Sequence, residues 1–497
     1  MRIKNVKNLL KKPIIGARPP GRGCPALAGR GTPGARRQAA AVAARFNSAA
    51  ECSMAGRRAH GAPVRERSMS RQRRLLTATP LALACLCGAG AAAADDASVA
   101  QVPTQRATEI DASTELLYDS NIARVDRALA AQEHLRLADE MFLPDVTGLI
   151  ARPIGPMMLF LRGDGGYDFH RVNTIRDSGH IDISGGAGRR LASCETSVTG
   201  LFGQRQSDLA EIYLINGAQA QTLLKNVETR ENVNGSAQCG RSIGLAPSIS
   251  VTQSWLSNSS TLRRGVDNQA LSVNAGLGYR QPAFGVVSLF GVYDTASYPH
   301  RSLFYNGPYI PYGYRVMEGG LRYERHIGAR LDAQASISYT SLTPTGDTAA
   351  FGPAGGSKFG GLTYSLDLSY RVNPRLLIHL NDGRATNASN RIDATYSVDD
   401  TYEADATYSM GRRVELKLSV SNRGESYRGL TQASLLPNGQ PYNLLKGSTT
   451  DVVGSAIYRL NRRFSVALTL GDAERRATPA PFSYSSTTAG LTFRATF

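Results

Sequence analysis

Few residues in this 497-residue chain have types and spacings that could do chemistry. Beyond residue 94 there are six histidines: His134, His170, His180, His300, His326 and His379. None belongs to a metal-ligand spacing, and no Gly-rich phosphate loop and no GxSxG elbow is present. Membrane enzymes can use Ser or His at a lipid-facing surface. His379 sits in a strand-like run, but it shares parity with Arg375 and Asn381, on the polar side. No catalytic, metal or cofactor site is therefore expected, and no enzyme. Of six cysteines, Cys24, Cys52, Cys85 and Cys87 lie in a part expected to be removed, which leaves Cys194 and Cys239.

The elements that carry these residues are read from hydrophobic period. In LDAQASISYT, Leu331, Ala333, Ala335, Ile337 and Tyr339 fall on one side, while Asp332, Gln334, Ser336, Ser338 and Thr340 fall on the other. Segments 362–370 and 414–421 repeat the scheme. Period 2 places alternate side chains on opposite sheet faces, one apolar and one polar. Short turns are expected at 152–156, 188–192, 239–244, 280–285, 326–330, 372–375, 411–413 and 460–463. Each interval, roughly 36 to 50 residues, holds two strands and a longer polar loop. Short turns at one end and long loops at the other are the pattern of an outer-membrane barrel. A soluble sandwich also alternates, but its turns are compact throughout and its apolar face points at a core. The expected fold is all-β: a transmembrane antiparallel up-and-down β-barrel of about 18 strands (16–18), preceded by a signal peptide. The last strand, TTAGLTFRATF, ends its apolar side on Phe497, which is expected to be the signal read by the barrel-assembly machinery.

The formal charge of +17 first suggests nucleic acid as a partner. Residues 1–94, however, hold 18 Lys/Arg and two acids, leaving 39 bases and 38 acids in the remainder. The body is balanced, so no nucleic-acid partner is expected. Residues 1–68 are Arg/Ala/Gly/Pro-rich, lack any sustained period, and are expected to be a non-structural extension. Residues 69–94 have a basic start (Arg71, Arg73, Arg74), an apolar run from Leu75 and small residues at 91–94, the form of a secretory signal peptide. A start at Met69 or Met54 is the expectation. Residues 95–105 would be a short periplasmic linker and 106–497 the barrel, in the outer membrane of a Gram-negative cell.

Parity assigns an inner wall. Arg162, Asp164, Asp168 and His170 alternate with Leu159, Leu161, Tyr167 and Phe169 and should face the lumen. So should Glu318, Arg322, Glu324, Glu403, Asp405, Glu415 and Lys417, with Arg423 and Glu425. A wide barrel holds water, so charges there stay hydrated. Any such barrel also needs a polar wall, so no single residue is singled out. Trp255 is expected near the outer lipid interface, and Tyr279, Tyr323, Tyr370, Tyr408 and Tyr458 near the inner one. Tyr305, Tyr309, Tyr312 and Tyr427 are read as loop tyrosines, for loop packing or sugar stacking. Cys194 begins one strand and Cys239 ends the next, at the same end and on the same face. Opposed Cα atoms at such positions lie about 4.5–5.5 Å apart. A cross-strand disulfide is expected, with two free thiols as the alternative.

The opening strand reads ATEIDASTELLYDSNIARV. Its Tyr118-Asp119-Ser120-Asn121-Ile122 stretch resembles the β-barrel porin group, and more narrowly the EpsL-type outer-membrane proteins of exopolysaccharide biosynthesis operons. The likeness runs through the repeated hairpins to Phe497. It implies a porin-like barrel serving exopolysaccharide biosynthesis or export, with exopolysaccharide, periplasmic export proteins and outer-membrane lipid as partners. It supplies no catalytic residue. A general or substrate-specific diffusion porin, and a non-conducting structural or adhesive barrel, stand as alternatives.

Overall fold

The computed structural model describes residues 102–132, 134–207, 225–241, 243–261, 263–301, 312–346, 358–389, 391, 394, 396–428 and 444–497. The expected extension, signal peptide and most of the linker lie outside the described residues, as do Tyr305 and Tyr309.

The period-2 segments form eighteen strands. They are β1 (Ala107–Asp119), β2 (Asp139–Ile154), β3 (Met157–His170), β4 (Ser178–Leu191), β5 (Cys194–Gln206) and β6 (Val227–Cys239). Next come β7 (Gly244–Asn258), β8 (Asn268–Gln281), β9 (Gly285–Tyr298), β10 (Tyr312–Ile327), β11 (Leu331–Gly346) and β12 (Phe359–Asn373). The last are β13 (Leu376–Ala388), β14 (Tyr396–Met410), β15 (Val414–Arg428), β16 (Lys446–Arg459), β17 (Phe464–Thr478) and β18 (Tyr484–Thr496). One short α-helix, α1 (Arg127–Gln132), sits in the connection from β1 to β2. Every strand pairs antiparallel with its neighbours in sequence, and β1 also pairs with β18, so the sheet closes on itself. The eighteen strands and eight short turns are those expected. At each predicted turn the chain reverses within a few residues. The other nine connections are the longer ones.

Closure removes the free edges that an open sheet would present. The seam is bonded at both ends. At the turn end, Phe497 N–H donates to Ile110 O at 2.8 Å, and Ile110 N–H to Phe497 O at 3.4 Å. At the loop end the Tyr118–Ile122 stretch forms a lock. The buried Asp119 carboxylate accepts the Asn121 N–H at 2.8 Å, an Arg124 Nη2 hydrogen bond at 2.7 Å, and the Ser486 hydroxyl of β18. The Asn121 amide donates to Val125 O at 2.9 Å and across the seam to Ser485 O at 3.2 Å. Ser120 and Thr487 are joined by two further bonds. The motif that carries the family resemblance is thus a structural device that ties the first strand to the last.

The two faces differ as alternation predicts. Leu161, Leu245, Leu289, Ile337, Leu362 and Leu470 all point outward and stand exposed. Serine, threonine, asparagine and charged side chains point inward. So continuous an apolar exterior is stable against lipid and not against water. No helix among the described residues is long and apolar enough to cross a membrane. A 13-residue strand such as β1 is ~43 Å long, which at a tilt of ~40° rises roughly 33 Å, past an apolar band of about 25 Å.

Two local features position the interior. The ladder between β2 and β3 lapses between the pairs Phe142–Phe169 and Asp145–Gly166. Pro144, which has no N–H to donate, sits in the gap. At the turn end, the chain ahead of β1 crosses the inner wall, and Val102 lies over Gly188 of β4. A Cβ at Gly188 would meet the Val102 Cγ1 at 2.8 Å, so a larger residue there would displace the Val102 side chain.

Candidate functional site

The register determines which side chains share the lumen. Thr147 of β2 lies opposite Asp164 of β3, and Asp164 opposite Asp182 of β4. His180 of β4 points into the same stretch. Its Nε2 is 3.3 Å from Asp145 Oδ2 and 3.7 Å from Asp164 Oδ1, while its Nδ1 is 3.8 Å from Asp168 Oδ1. The Thr147 hydroxyl donates to Asp164 Oδ2 at 2.7 Å. Gly166 makes room for this imidazole, because a Cβ there would come within 2.6 Å of the His180 Cε1. Asp145, Asp164 and His180 lie close enough together to hold a cation. All are partly open to the lumen.

A cavity of ≈ 470 Å³ runs along the inner wall of β13 to β18 and β1. Glu403, Asp405 and Lys417 line it, with Glu115, His379 and Asp451. His379 bridges three strands: its Nε2 is 3.1 Å from Asp367 Oδ2 and its Nδ1 3.3 Å from Asp405 Oδ2. A second cavity of ≈ 330 Å³ lies against β6 to β10 and is walled by Ser236, Ser248, Asn274 and Ser288, with Arg322 and Glu324.

The residues expected to line the lumen therefore occupy several stations around the inner wall, on β3, β10, β14 and β15. Asp164 and Asp168 meet at His180. Arg162 faces the lumen beside Asp164 and is exposed. His170 is buried at the loop end beside Asp177. Glu318 accepts a hydrogen bond from the Ser338 hydroxyl at 2.6 Å. The Arg322 guanidinium lies over the Phe290 ring. Glu415 is held near the turn end by Arg459 at 2.6 Å and Lys417 at 3.4 Å. Arg423 is paired with Asp399 at 2.8 Å and Glu425 at 3.3 Å. Asp145, His180, Asp182, Glu115 and Asp451 were not singled out from sequence, although the same alternation places each of them inward. Asp182, for example, stands between the outward Ile181 and Ile183.

The loop end is narrower than alternation alone implies. On the outward face of β14, Tyr402 is 50% exposed but Tyr396 is 1% exposed. Tyr396 and Val398 pack instead with Tyr298, Tyr314 and Val316, which point inward from β9 and β10. The upper part of β14 stays paired with β13 and β15 as far as Tyr396, while the β12–β13 ladder stops at Tyr364–Arg384, so these strands lean together into the mouth. Arg301, fully buried, holds them there. The guanidinium lies 3.9 Å from the Tyr298 ring centroid and 5.4 Å from that of Tyr312. Its nitrogens donate to Gly265 O at 3.2 Å, Ala394 O at 3.1 Å and Arg391 O at 3.3 Å. A second apolar cluster, Ala123, Val125, Ala130, Leu135, Leu444 and Phe482, gathers three further connections. Arg391 lies over Tyr427 and Phe482, so the two clusters meet through it. Tyr312 and Tyr427 are therefore strand-end residues turned into the mouth. Reading them as loop tyrosines is corrected here, because the strands run further than their apolar alternation.

Cys194 and Cys239 lie directly opposite each other in the β5–β6 ladder and are joined as a disulfide at the turn end. A non-reducing digest of the exported protein should contain one peptide pair that separates on reduction. Only free thiols at both positions would show that the bond is not formed in the cell.

No family model matches this chain, and no curated protein matches it. Among solved structures, the chain is similar to the outer membrane protein OpdK from Pseudomonas aeruginosa. Identity is 11% and the TM-score 0.39, with 79% of this chain and 99% of that one covered. OccK2 (OpdF) of the same organism matches at 11% identity and TM-score 0.41, covering 78% and 97%. Its siderophore receptor PirA matches at 11% and 0.37, covering 79% and 81%.

Proposed function

We propose that this protein is an outer-membrane barrel that passes small hydrated polar solutes passively, with passage restricted at the loop end. One observation carries the reading: a closed apolar-faced barrel whose inner wall below the mouth is largely polar and encloses a cavity along β13 to β18 and β1. Water-filled barrels conduct when a continuous polar path joins their mouths. The experiment is conductance of the purified barrel in planar bilayers. Discrete channel steps are expected. Their absence across the accessible voltage range would favour a structural or adhesive barrel instead.

The finer reading, a role in exopolysaccharide biosynthesis or export, is carried by the sequence resemblance alone. Hydroxyls, amides and carboxylates on the inner wall suit a hydrated glycan as they suit any polar solute. The expected result is lost surface polysaccharide in a deletion strain, restored by the full chain. A deletion strain with unaltered polysaccharide leaves a general or substrate-specific diffusion porin as the function. In either case the partners are outer-membrane lipid around the apolar face and the barrel-assembly machinery at Phe497.

A further inference from the structure

We infer that the lumen selects for cations, so that inorganic cations and ammonium-bearing solutes pass in preference to anions. The inference rests on the conduit reading and adds the sign of the solute. Its basis is an arc of inner wall from β14 through the seam to β4. Glu403 and Asp451 line the larger cavity together with Glu115 of β1. Past the seam, Asp145, Asp164 and Asp182 continue the row on β2, β3 and β4.

What makes the arc act as a field is the placement of the opposite charges. Among the described residues, none of these six carboxylates has a Lys or Arg nitrogen within 4 Å. The bases nearby already have carboxylates of their own. Arg124 is paired with Asp119, Lys417 with Glu415, Arg475 with Glu425 and Arg494 with Asp111. Arg162, Arg205 and Arg230 also face this stretch and are outnumbered, and Arg230 is itself held by Glu228 at 2.5 Å. The facing wall on β6 to β10 offers mostly serine and asparagine at mid-height, and its one arginine in the second cavity, Arg322, is accompanied there by Glu324. Further arginines stand in the short turns, as at Arg412, Arg413, Arg462 and Arg463, outside the lumen.

Fixed charge of one sign lining a confined aqueous path raises the local concentration of counter-ions and excludes co-ions. At 0.1 M salt the Debye length is about 10 Å, long enough for a wall charge to act well into the lumen, and at 1 M it is about 3 Å. The preference should therefore shrink as salt rises. Hydroxyls and amides on the facing wall add hydrogen-bonding capacity without reversing the sign.

The test is the reversal potential of the purified barrel across a KCl gradient centred near 0.1 M. The wild type should show the potassium sign, with K⁺ favoured several-fold over Cl⁻, and the ratio should fall toward unity in molar salt. A variant with E115Q, D145N, D164N, D182N, E403Q and D451N should lose most of the preference while conducting. Its folding is checked separately by heat-modifiable mobility in detergent. A wild-type potential near zero or of chloride sign overturns the inference and leaves the conduit reading intact. Unchanged selectivity in the folded variant overturns the assignment to this arc. Failure of the wild type to conduct at all overturns the conduit reading, and this inference with it.

Discussion

Replacing Arg301 with alanine raises conductance and open time several-fold. The side chain ties the connection ahead of β14 to the inward ends of β9 and β10. It donates to three carbonyls belonging to two different connections and lies against two tyrosine rings. Desolvated cation–π contacts contribute about 2 kcal/mol, and hydrogen bonds from a charged donor about 1.5–3 kcal/mol each before correlated losses. Alanine also leaves three buried carbonyls without this donor. A net loss of even about 3 kcal/mol shifts the balance between inturned and released mouths roughly a hundredfold. The apolar packing of Tyr298, Tyr314, Val316 and Tyr396 remains, which is why a several-fold effect is expected rather than loss of the barrel. Arg301→Lys keeps the charge but loses the planar fork that reaches three acceptors, so an intermediate conductance is expected. A folded Arg301→Ala barrel with wild-type conductance would show that another contact sets the restriction.

Replacing Asp119 with alanine should be the most destabilising single change at the seam. The carboxylate is buried and gathers Asn121, Arg124 and Ser486, two of them in the first connection and one on the last strand. Its loss leaves the Arg124 guanidinium half-enclosed beside the Tyr484 ring without its carboxylate. Breaking a buried ion pair from one side costs about 3–5 kcal/mol. The barrel has one β1–β18 ladder, so weakening it opens the sheet to edge-to-edge association. The expected readout is a lower unfolding temperature in heat-modifiability gels, with less folded barrel in the membrane. Asp119→Asn, which can still accept from the Asn121 backbone N–H, should be milder. Equal stability of the alanine variant and the wild type would show that the lock is dispensable.

The barrel itself was legible in sequence because its physics is local. Each strand must put apolar groups toward lipid and polar groups toward water, so period 2 persists from β1 to β18. The eight short turns were legible for the same reason, since alternation stops where the chain reverses. Placement of Cys194 and Cys239 follows from parity and turn position, which are both local quantities.

What alternation could not convey is which inward residues meet. Asp145, Asp164 and His180 come from three strands, and only the register of β2, β3 and β4 brings them within reach of one another. The mouth was still less legible. Tyr396 and Tyr402 share parity and would both be read as lipid-facing. One is buried because β14, together with its partners β13 and β15, leans inward above the end of the β12–β13 ladder to pack on strands distant in sequence. Arg301, a lone arginine in a polar loop, carries no local signal that it will be fully buried. By itself the sequence determined the faces, the turns and the number of strands, through a free energy that each strand satisfies alone. Tertiary structure decided the charge arc and the narrowed mouth, because both depend on contacts between segments that no period relates.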